Sequence, residues 1–260
     1  MMVALSPNKF SEGNGLLTAS VDELHAVITL SIVVPAYNEE KNIREAIAAI
    51  LASASAVVTD YEVIVIDDGS SDGTPGILRE MAGQNAKIRP VFHGTNQGKG
   101  AALQSGFKQA KMAWILFTDA DLQMDIKELP GFLAQTARYD LIFGFRKIRG
   151  DSMSRRLFSR GYALLIRMLL GIRLQDVNCP FKILRRSFVD SIHLRSRGFF
   201  IDTELAFLAL TRGCHVKELG VTGYSRRHGV SSVKFRHVFE TFGELITLVE
   251  RSRKGSGTVQ

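Results

Sequence analysis

Two aspartates one residue apart, Asp119 and Asp121, are the residues of this chain whose type and spacing point most directly to chemistry. They follow the apolar run 114–117, and a short apolar run between polar residues is typical of a buried strand. The carboxylates would then lie at an edge of the sheet, where open α/β sheets bind ligands. With Gln123 as a third oxygen ligand, they could hold one hard divalent cation. Taken alone, the pattern favours an ordinary strand-end turn, in which Asp is common.

Length and composition narrow the class of protein. The chain has 260 residues, of which 45% are hydrophobic and 23% charged, values typical of one large or two small globular domains. No apolar run reaches the ~20 residues of a membrane span, and the longest, 161–172, is broken by Arg167. The N-terminus has no secretory pattern. Cys179 and Cys214 are too few for a disulfide framework or a thiolate zinc site. We therefore expect a cytoplasmic protein.

The net charge of +7 conceals an asymmetry between the two halves of the chain. Residues 1–140 hold 11 Lys and Arg against 17 Asp and Glu, whereas residues 141–260 hold 22 against 9. The first half is suited to a metal ion and the second to phosphates or an anionic surface. Nucleic acid is the competing partner. Because the basic half has no recognisable nucleic-acid module and no interleaved stacking aromatics, we expect no nucleic acid.

Apolar runs alternate with helical patterns, which predicts an α/β fold with a mostly parallel sheet flanked by helices. The predicted strands are 29–34, 61–66, 88–92, 114–117, 140–144 and 216–221. Asn38 is predicted to cap the helix that follows the first strand, and a further helix is predicted over 126–137. Residues 176–182 are interpreted as a polar loop with an apolar plug.

Polar residues follow several of these strands. Tyr37 lies after the first, where its ring could lie against a nucleotide base, and the acids, serines and glycines of 67–74 could hold ribose or base groups. The glycine-rich segment 96–101 allows close backbone approach, with Lys99 adding a positive charge near a helix start. Arg146 stands just beyond the fifth strand, a place suited to binding a diphosphate.

The basic half contains two helical patterns and one polar loop. The pattern over 153–171, with arginines at 155, 156, 160 and 167, is typical of a basic amphipathic helix, although an ordinary surface helix fits equally well. The segment 226–234 is a basic loop suited to oxyanions, and a second amphipathic helix follows it. We therefore expect peripheral attachment to the cytoplasmic face of an anionic membrane.

Seven segments, in this order, resemble the family 2 glycosyltransferases of GT-A fold. They are S-I-V-V-P-A-Y-N-E-E, V-I-V-I-D-D-G-S-S-D-G-T, N-Q-G-K-G-A-A-L, D-A-D-L-Q, G-F-R, D-V-N-C-P-F-K and R-R-H-G-V-S-S. Within the family the chain looks most like the polyprenol-phosphate mannosyl- and glucosyltransferases. The resemblance implies a single Rossmann-like GT-A domain over 28–235. The sequence pattern predicts a loose arm (1–27) before this domain, and an amphipathic helix (236–252) and a frayed tail (253–260) after it.

The resemblance also implies roles for individual residues. The nucleotide-binding positions are Pro35, Tyr37, Glu39, Ile66 and Asp68. Asp119, Ala120 and Asp121 match the metal and sugar-diphosphate motif, Gln123 matches a further ligand of Mg²⁺ or Mn²⁺, and Arg146 and Arg226 match arginines that meet phosphates. Arg155, Arg156 and Ser159 lie where the family binds the lipid phosphate.

The chain departs from the family pattern at three motifs. Met124-Asp125 replaces the His or Pro that often follows D-A-D-L-Q, Pro180 replaces the glycine of C-G-F-K, and Ser232 stands where a lysine is common. The membrane helices that many members carry after the catalytic domain have no counterpart in this sequence.

The activity implied is transfer of a hexose from GDP-mannose or UDP-glucose to a polyprenyl phosphate, with inversion, by a single in-line displacement. Asp121 and Arg146 would be catalytic through the metal and the phosphates. If the acceptor were a sugar hydroxyl, Asp202 would be the candidate base. The expected partners are therefore a nucleotide sugar, a lipid phosphate and the anionic membrane, with a membrane protein as an open alternative.

Three other functions compete with this one. The first is a glycosyltransferase acting on a sugar or polysaccharide hydroxyl, whose processive members carry Q-x-x-R-W. The second is a nucleotidyltransferase, which would carry G-x-G-x-R after the first strand. The sequence has neither motif. A non-catalytic nucleotide- or membrane-binding module is the alternative of a different class, and the intact acidic pair argues against it.

Overall fold

The computed structural model describes residues 28–121, 123–147, 153–225 and 243–250. The strands in this part of the chain are β1 (Thr29–Ala36), β2 (Asp60–Asp67), β3 (Ile88–Phe92), β4 (Trp114–Thr118), β5 (Leu141–Arg146), β6 (Phe181–Arg185) and β7 (Val216–Val221). The helices are α1 (Ile43–Ser55), α2 (Thr74–Gln84), α3 (Lys99–Gln109), α4 (Leu129–Leu133), α5 (Met153–Leu170), α6 (Arg186–Ser191), α7 (Ile201–Thr211) and α8 (243–250).

The strands form one sheet in the order β3-β2-β1-β4-β6-β5-β7. Neighbouring strands are parallel except around β6, which is antiparallel to both β4 and β5. Because β1, β2 and β4 are parallel neighbours, the residues that follow Ala36, Asp67 and Thr118 emerge at the same edge of the sheet. The mostly parallel α/β fold expected from the sequence is thus confirmed.

Each face of the sheet is covered by helices. On one face, Ile32 and Val34 of β1 belong to the same buried cluster as Ile43 and Ile47 of α1. On the other face, Val33 is buried in a cluster with side chains of α3, α5, α7 and α8. A strand whose successive side chains alternate between two apolar layers is expected to be apolar on both faces, which explains the hydrophobic run 32–36 of β1.

The strand β6 was missed in the sequence. The segment 176–182 was expected to be a loop, yet Phe181 and Lys182 begin a strand that lies between β4 and β5. A lysine inside an apolar run argues against a central strand, and only the fold reveals why it is tolerated. The Lys182 ammonium is fully buried and meets a carboxylate from α7, twenty residues further along the chain.

Three local predictions need correction. Asn38 does not cap a helix, because α1 begins at Ile43 and Asn38 adopts a left-handed conformation with φ of 55°. The helix predicted over 126–137 is a 3₁₀ turn, Ile126–Glu128, followed by the short α4. The strand β1 continues through Pro35, at a point where β1 pairs with β2 but no longer with β4, so the missing N–H disrupts no ladder on the β4 side.

Several predictions concern segments outside the described residues: the arm 1–27, the loop 226–235 with Arg226, and the tail 253–260. Of the predicted C-terminal helix, 243–250 is described and is helical, with Leu245 and Leu248 buried. Among the described residues, no helix is long and apolar enough to cross a bilayer.

Candidate active site

The loops after β1 and β2 are joined at the carboxyl edge of the sheet by the residue expected to be a helix cap. The Asn38 amide N–H donates to Ser70 Oγ at 2.8 Å, and Asn38 Oδ1 accepts from the Ser71 amide at 2.8 Å. Asparagine is among the residues that adopt a left-handed conformation most readily, so the side chain can turn toward the neighbouring loop. Next to it, the Tyr37 ring is exposed at the position predicted to face a base.

The remaining residues predicted at the nucleotide are largely buried. Glu39 accepts a hydrogen bond from Asn42 Nδ2 at 2.7 Å, and its amide donates to Thr74 Oγ1 at 2.9 Å. Ile66 is completely buried and Pro35 is half-buried. Ile66 therefore has no surface exposed to a ligand in this arrangement, and Glu39 shapes the β1–α1 turn.

Asp68 holds the glycine-rich segment in place. Its Oδ1 accepts from the Gln97 amide at 3.0 Å and its Oδ2 from the Gly98 amide at 2.8 Å. Asp68 Oδ1 also lies 2.7 Å from Nδ1 of His93, whose Nε2 lies 2.9 Å from Ser105 Oγ on α3. The carboxylate predicted to meet a nucleotide therefore also joins β2, β3 and α3.

The glycines of 96–101 approach another part of the protein. A Cβ on Gly98 would lie 2.5 Å from Arg197 O, and one on Gly100 would lie 2.3 Å from Ser196 O. The Ala101 amide, in the first turn of α3, donates to Arg197 O at 3.1 Å. The close backbone approach predicted for the glycines is thus made by residues 196–197, just before α7. Because Arg197 O accepts from an amide in the first turn of α3, this amide is not available to bind an anion.

The acidic pair lies immediately after β4, as its sequence pattern predicts. Asp121 is buried and its Oδ1 accepts from the Gln123 amide at 3.2 Å, while Asp119 is partly exposed. Ala120, between them, is buried. The structure therefore brings these residues together on one turn at the sheet edge shared with Tyr37 and Asp68.

A lysine that the sequence marked only as a positive charge lies at this pair. The Lys99 ammonium is 3.0 Å from Asp119 Oδ1 and 3.8 Å from Asp202 Oδ2. Burial by itself would lower the pKa of Lys99, but the charges of Asp119 and Asp202, the hydrogen bond to Asp119 and the charge of Asp121 together raise that pKa well above its usual value. Lys99 is therefore a permanent cation among three carboxylates.

Asp202 is in turn held by the buried lysine of β6. Lys182 Nζ lies 2.5 Å from Asp202 Oδ1 and donates to Cys179 O at 2.6 Å. The rings of Phe117 and Phe143 face the same ammonium at 5.0 and 5.5 Å. Both oxygens of Asp202 therefore face ammonium groups, an arrangement that suits a structural anion better than the general base proposed for a hydroxyl acceptor.

The acidic pair fits a divalent metal ion. Carboxylate and amide oxygens are the donors that Mg²⁺ and Mn²⁺ prefer, and Asp119, Asp121 and Gln123 offer them from one turn. Within the described residues, no group of three or more His, Cys, Asp or Glu side chains has metal-binding geometry. A bound ion would therefore need further oxygen ligands, such as those of Gln123, a diphosphate or water.

Arg146, one of the predicted phosphate ligands, contacts other protein groups in the structure. Arg146 Nη1 lies 3.6 Å from Asp176 Oδ2, and its Nη2 donates to Asn178 O at 3.3 Å. Its role at a phosphate stays a prediction. Arg226 lies outside the described residues, and α5 is described as a helix at Arg155, Arg156 and Ser159 without their side chains.

The turn that carries the acidic pair is fastened to the segment that leads into the basic loop. The Tyr224 amide donates to Gln123 O at 2.8 Å, and the Asp125 amide donates to Thr222 O at 3.0 Å. The Tyr224 hydroxyl donates to Asp125 Oδ2 at 2.8 Å. Asp125, one of the residues that depart from the family pattern, thus links the two segments through its backbone and its side chain.

Cys179 is excluded as a nucleophile by its surroundings. Burial raises the pKa of the Cys179 thiol to about 12, more than the nearby Lys182 charge lowers it. The thiol therefore stays protonated at neutral pH, and its contact with Met124 Sδ, at 3.7 Å, is part of the packing.

Fold and site together define a class: a GT-A type α/β protein with an acidic pair at the carboxyl edge of its sheet. The chain belongs to glycosyl transferase family 2, whose model matches residues 31–192.

Two relatives have names that specify an activity. An undecaprenyl-phosphate 4-deoxy-4-formamido-L-arabinose transferase of Pseudomonas fluorescens is 31% identical over 221 residues, which cover 84% of this chain and 64% of that protein. A dodecaprenyl-phosphate galacturonate synthase of Rhizobium johnstonii is 31% identical over 227 residues, which cover 85% of this chain and 67% of that protein. The chain thus spans slightly less than two thirds of the length of the first relative.

Solved structures support the fold. Glucosyl-3-phosphoglycerate synthase from Mycobacterium tuberculosis, in complex with Mn²⁺, UDP and glucosyl-3-phosphoglycerate, superimposes with a TM-score of 0.67 at 22% identity, over 92% of this chain and 86% of that one. The complex of the same enzyme with phosphoglyceric acid gives a TM-score of 0.68 at 20% identity, over 90% and 84%. At this level of identity the likeness establishes the fold alone.

Proposed function

We propose that this protein transfers a sugar from a nucleotide sugar to a polyprenyl phosphate, with Mg²⁺ or Mn²⁺ as cofactor. The observation that carries the proposal is the placement of Asp119 and Asp121 at the sheet edge where the β1 and β2 loops, with Tyr37 and Asp68, also end. The names of both relatives specify polyprenyl phosphates, which supports a polyprenyl phosphate as the acceptor. The Mn²⁺ and UDP complexes of the structural neighbour support the cofactor and the donor class.

Different residues of the site would bind different parts of the nucleotide sugar. Tyr37 and the turn around Asn38 offer a surface for the base, and Asp119, Asp121 and Gln123 would hold the metal beside the diphosphate. When bound, a divalent ion there stabilises the charge of the departing nucleoside diphosphate. Arg146, on the strand next to β6, would approach phosphate oxygens from the basic half of the chain.

A phosphate acceptor suits this site better than a hydroxyl acceptor. A phosphate oxygen is already anionic at neutral pH and needs to be positioned rather than deprotonated. A hydroxyl acceptor needs a base, and both oxygens of Asp202, the candidate for that role, face the ammonium groups of Lys182 and Lys99.

Peripheral membrane contact is part of the same proposal, because a polyprenyl phosphate resides in a membrane. On α5, Leu164 and Met168 are four residues apart and are 56% and 67% exposed, with Leu169 beside them at 43%. On α8, Ile246 is 60% exposed. An exposed apolar helix face in a half-chain of strongly positive charge is suited to the cytoplasmic surface of an anionic bilayer.

The test is a panel of nucleotide sugars, including GDP-mannose and UDP-glucose, incubated with the purified protein, Mn²⁺ and a polyprenyl phosphate in detergent. We expect one donor to give a lipid-linked sugar, detected by mass spectrometry, and expect EDTA to abolish the product. Sugar transfer to a free saccharide but never to lipid would overturn the acceptor assignment. Binding of nucleotides without turnover of any donor would favour a non-catalytic binding module.

A further inference from the structure

Four side chains of alternating charge lead from the core of the protein to the acidic pair. Lys182, fully buried on β6, contacts Asp202 on α7; Asp202 faces Lys99 at the start of α3; and Lys99 contacts Asp119. The successive nitrogen–oxygen distances are 2.5, 3.8 and 3.0 Å. With Asp121 also acting on Lys99, the group contains three carboxylates against two ammonium groups, an excess of one negative charge.

Stability alone does not account for the inner pair. A buried ion pair is costly to desolvate, and well-packed apolar residues of similar volume are often at least as stable. Lys182 nevertheless lies among the rings of Phe117 and Phe143, where an apolar side chain would fit the surroundings. The geometry indicates that the pair positions another group. Lys182 binds Asp202 Oδ1, and the second carboxylate oxygen, Oδ2, faces Lys99.

We propose that Lys99 is a fixed cation of the diphosphate site, and that Lys182 and Asp202 are the positioning residues that hold it there. This inference rests on the proposed function. Lys99 neutralises part of the charge of Asp119 and Asp121 before any metal binds, and its ammonium offers three donors to an incoming diphosphate.

The proposal predicts effects of opposite sign for two ligands of the same site. Replacing Lys99 by Met removes a cation that repels a metal ion and attracts a diphosphate. For Lys99→Met we therefore expect binding of UDP or GDP in EDTA to weaken by about tenfold. Binding of Mn²⁺ in the absence of nucleotide should tighten by about fivefold, because the acidic pair loses its neighbouring positive charge. A variant that merely distorts the site would weaken both.

The experiment measures both affinities for the whole protein, by calorimetry for UDP and GDP and by electron paramagnetic resonance for free Mn²⁺. Lys108→Met is the matched control, because Lys108 is exposed near the other end of α3, and it should leave both affinities unchanged. Lys99→Arg keeps the charge and should retain most of the nucleotide binding.

A double-mutant cycle tests the positioning role. Lys182→Met should weaken nucleotide binding in the wild-type background and have little further effect in Lys99→Met, because it acts through Lys99. A purely structural role predicts equal effects in both backgrounds. If Lys182→Met does not fold, Asp202→Asn takes its place in the cycle with the same expectation, since it removes the charge that holds Lys99.

The outcomes separate the inference from the proposed function. Wild-type protein that binds neither UDP nor GDP, with or without Mn²⁺, would overturn the proposed function. Nucleotide binding that requires Mn²⁺, or that is equal in Lys99→Met and Lys108→Met, would overturn the inference alone. So would a Lys99→Met variant in which Mn²⁺ binding falls together with nucleotide binding.

Discussion

At the scale of single residues, the surroundings of the acidic pair come from distant segments of the chain, because Lys99 contacts Asp119 and in turn faces Asp202. Asp119 and Asp121 were recognisable because two carboxylates ended an apolar strand. Lys99, which contacts Asp119, was predicted only to add a positive charge near a helix start beside a glycine-rich turn. The link between His93 and Asp68 could not be predicted, because its members are 25 residues apart and neither has a local signal. A local sequence pattern carries no information about contacts between distant segments of the chain.

Asp121→Asn tests the acidic pair with the smallest change. The amide keeps an oxygen that can accept from the Gln123 amide, so the turn should persist, while the charge that would bind the metal is lost. We expect sugar transfer at saturating substrate to fall by at least ~100-fold, with an unchanged circular dichroism spectrum and thermal midpoint. Asp190→Asn, at an exposed ion pair on α6, should have full activity. Near-normal turnover of Asp121→Asn would rule out the metal role.

At the scale of secondary-structure elements, most strands could be predicted from local sequence. The runs that became β2, β3 and β7 are β-branched or bounded by turn residues, so local sequence specifies them. The strand β6 contains Lys182, whose burial depends on α7, and α4 ends at Leu133, within a segment expected to be helical to residue 137. The order of the strands, with antiparallel β6 between β4 and β5, has no local signal in the sequence.

The packing of α3 on β1 depends on one glycine. A Cβ on Gly106 would lie 2.2 Å from Val33 Cγ1, so Gly106→Ala forces α3 away from the strand. We expect the free energy of unfolding in urea to fall by about 1–3 kcal/mol. Gly83→Ala, in the last turn of α2 with open space around the new methyl group, is the matched control and should raise it by roughly 0.4–1 kcal/mol.

A second substitution tests the cause of that loss. Val33→Ala removes the atom that the new methyl group meets, so it should cost less in the Gly106→Ala background than in the wild type. Strict additivity of the two changes would mean that Gly106→Ala acts through the unfolded chain or another contact. Because α3 also carries Lys99, nucleotide binding should fall in Gly106→Ala and recover in part in the double variant.

At the scale of the whole molecule, the two halves of the chain meet across β4 and β6. The acidic half supplies β1 to β4 with the metal and nucleotide positions, and the basic half supplies β5 to β7 with Arg146 and Lys182. The charge asymmetry visible in the sequence therefore becomes a spatial one, with a site for a cation beside a region suited to phosphates.

The proposed contact with the membrane depends on the exposed side chains of α5. Leu164 and Met168 lie on one face of the helix, and burying each in a bilayer interface contributes about 1.5–3 kcal/mol. We expect the wild-type protein to float with liposomes of phosphatidylglycerol and phosphatidylcholine. The double variant Leu164→Glu/Met168→Glu should lose at least about tenfold in partitioning, because it removes apolar area and adds negative charge near an anionic surface.

The controls for this experiment separate charge from apolar contact. Ala52→Glu places a negative charge on an exposed position of α1, and it should float as the wild type does. Raising the salt from about 0.05 to 0.5 M should weaken flotation of all variants through screening, while leaving the difference caused by Leu164 and Met168. Transfer to a short-chain, water-soluble polyprenyl phosphate should be equal in the double variant and the wild type, since α5 then has no bilayer to contact. Wild-type protein that stays in the soluble fraction at low salt would rule out this face as a membrane contact.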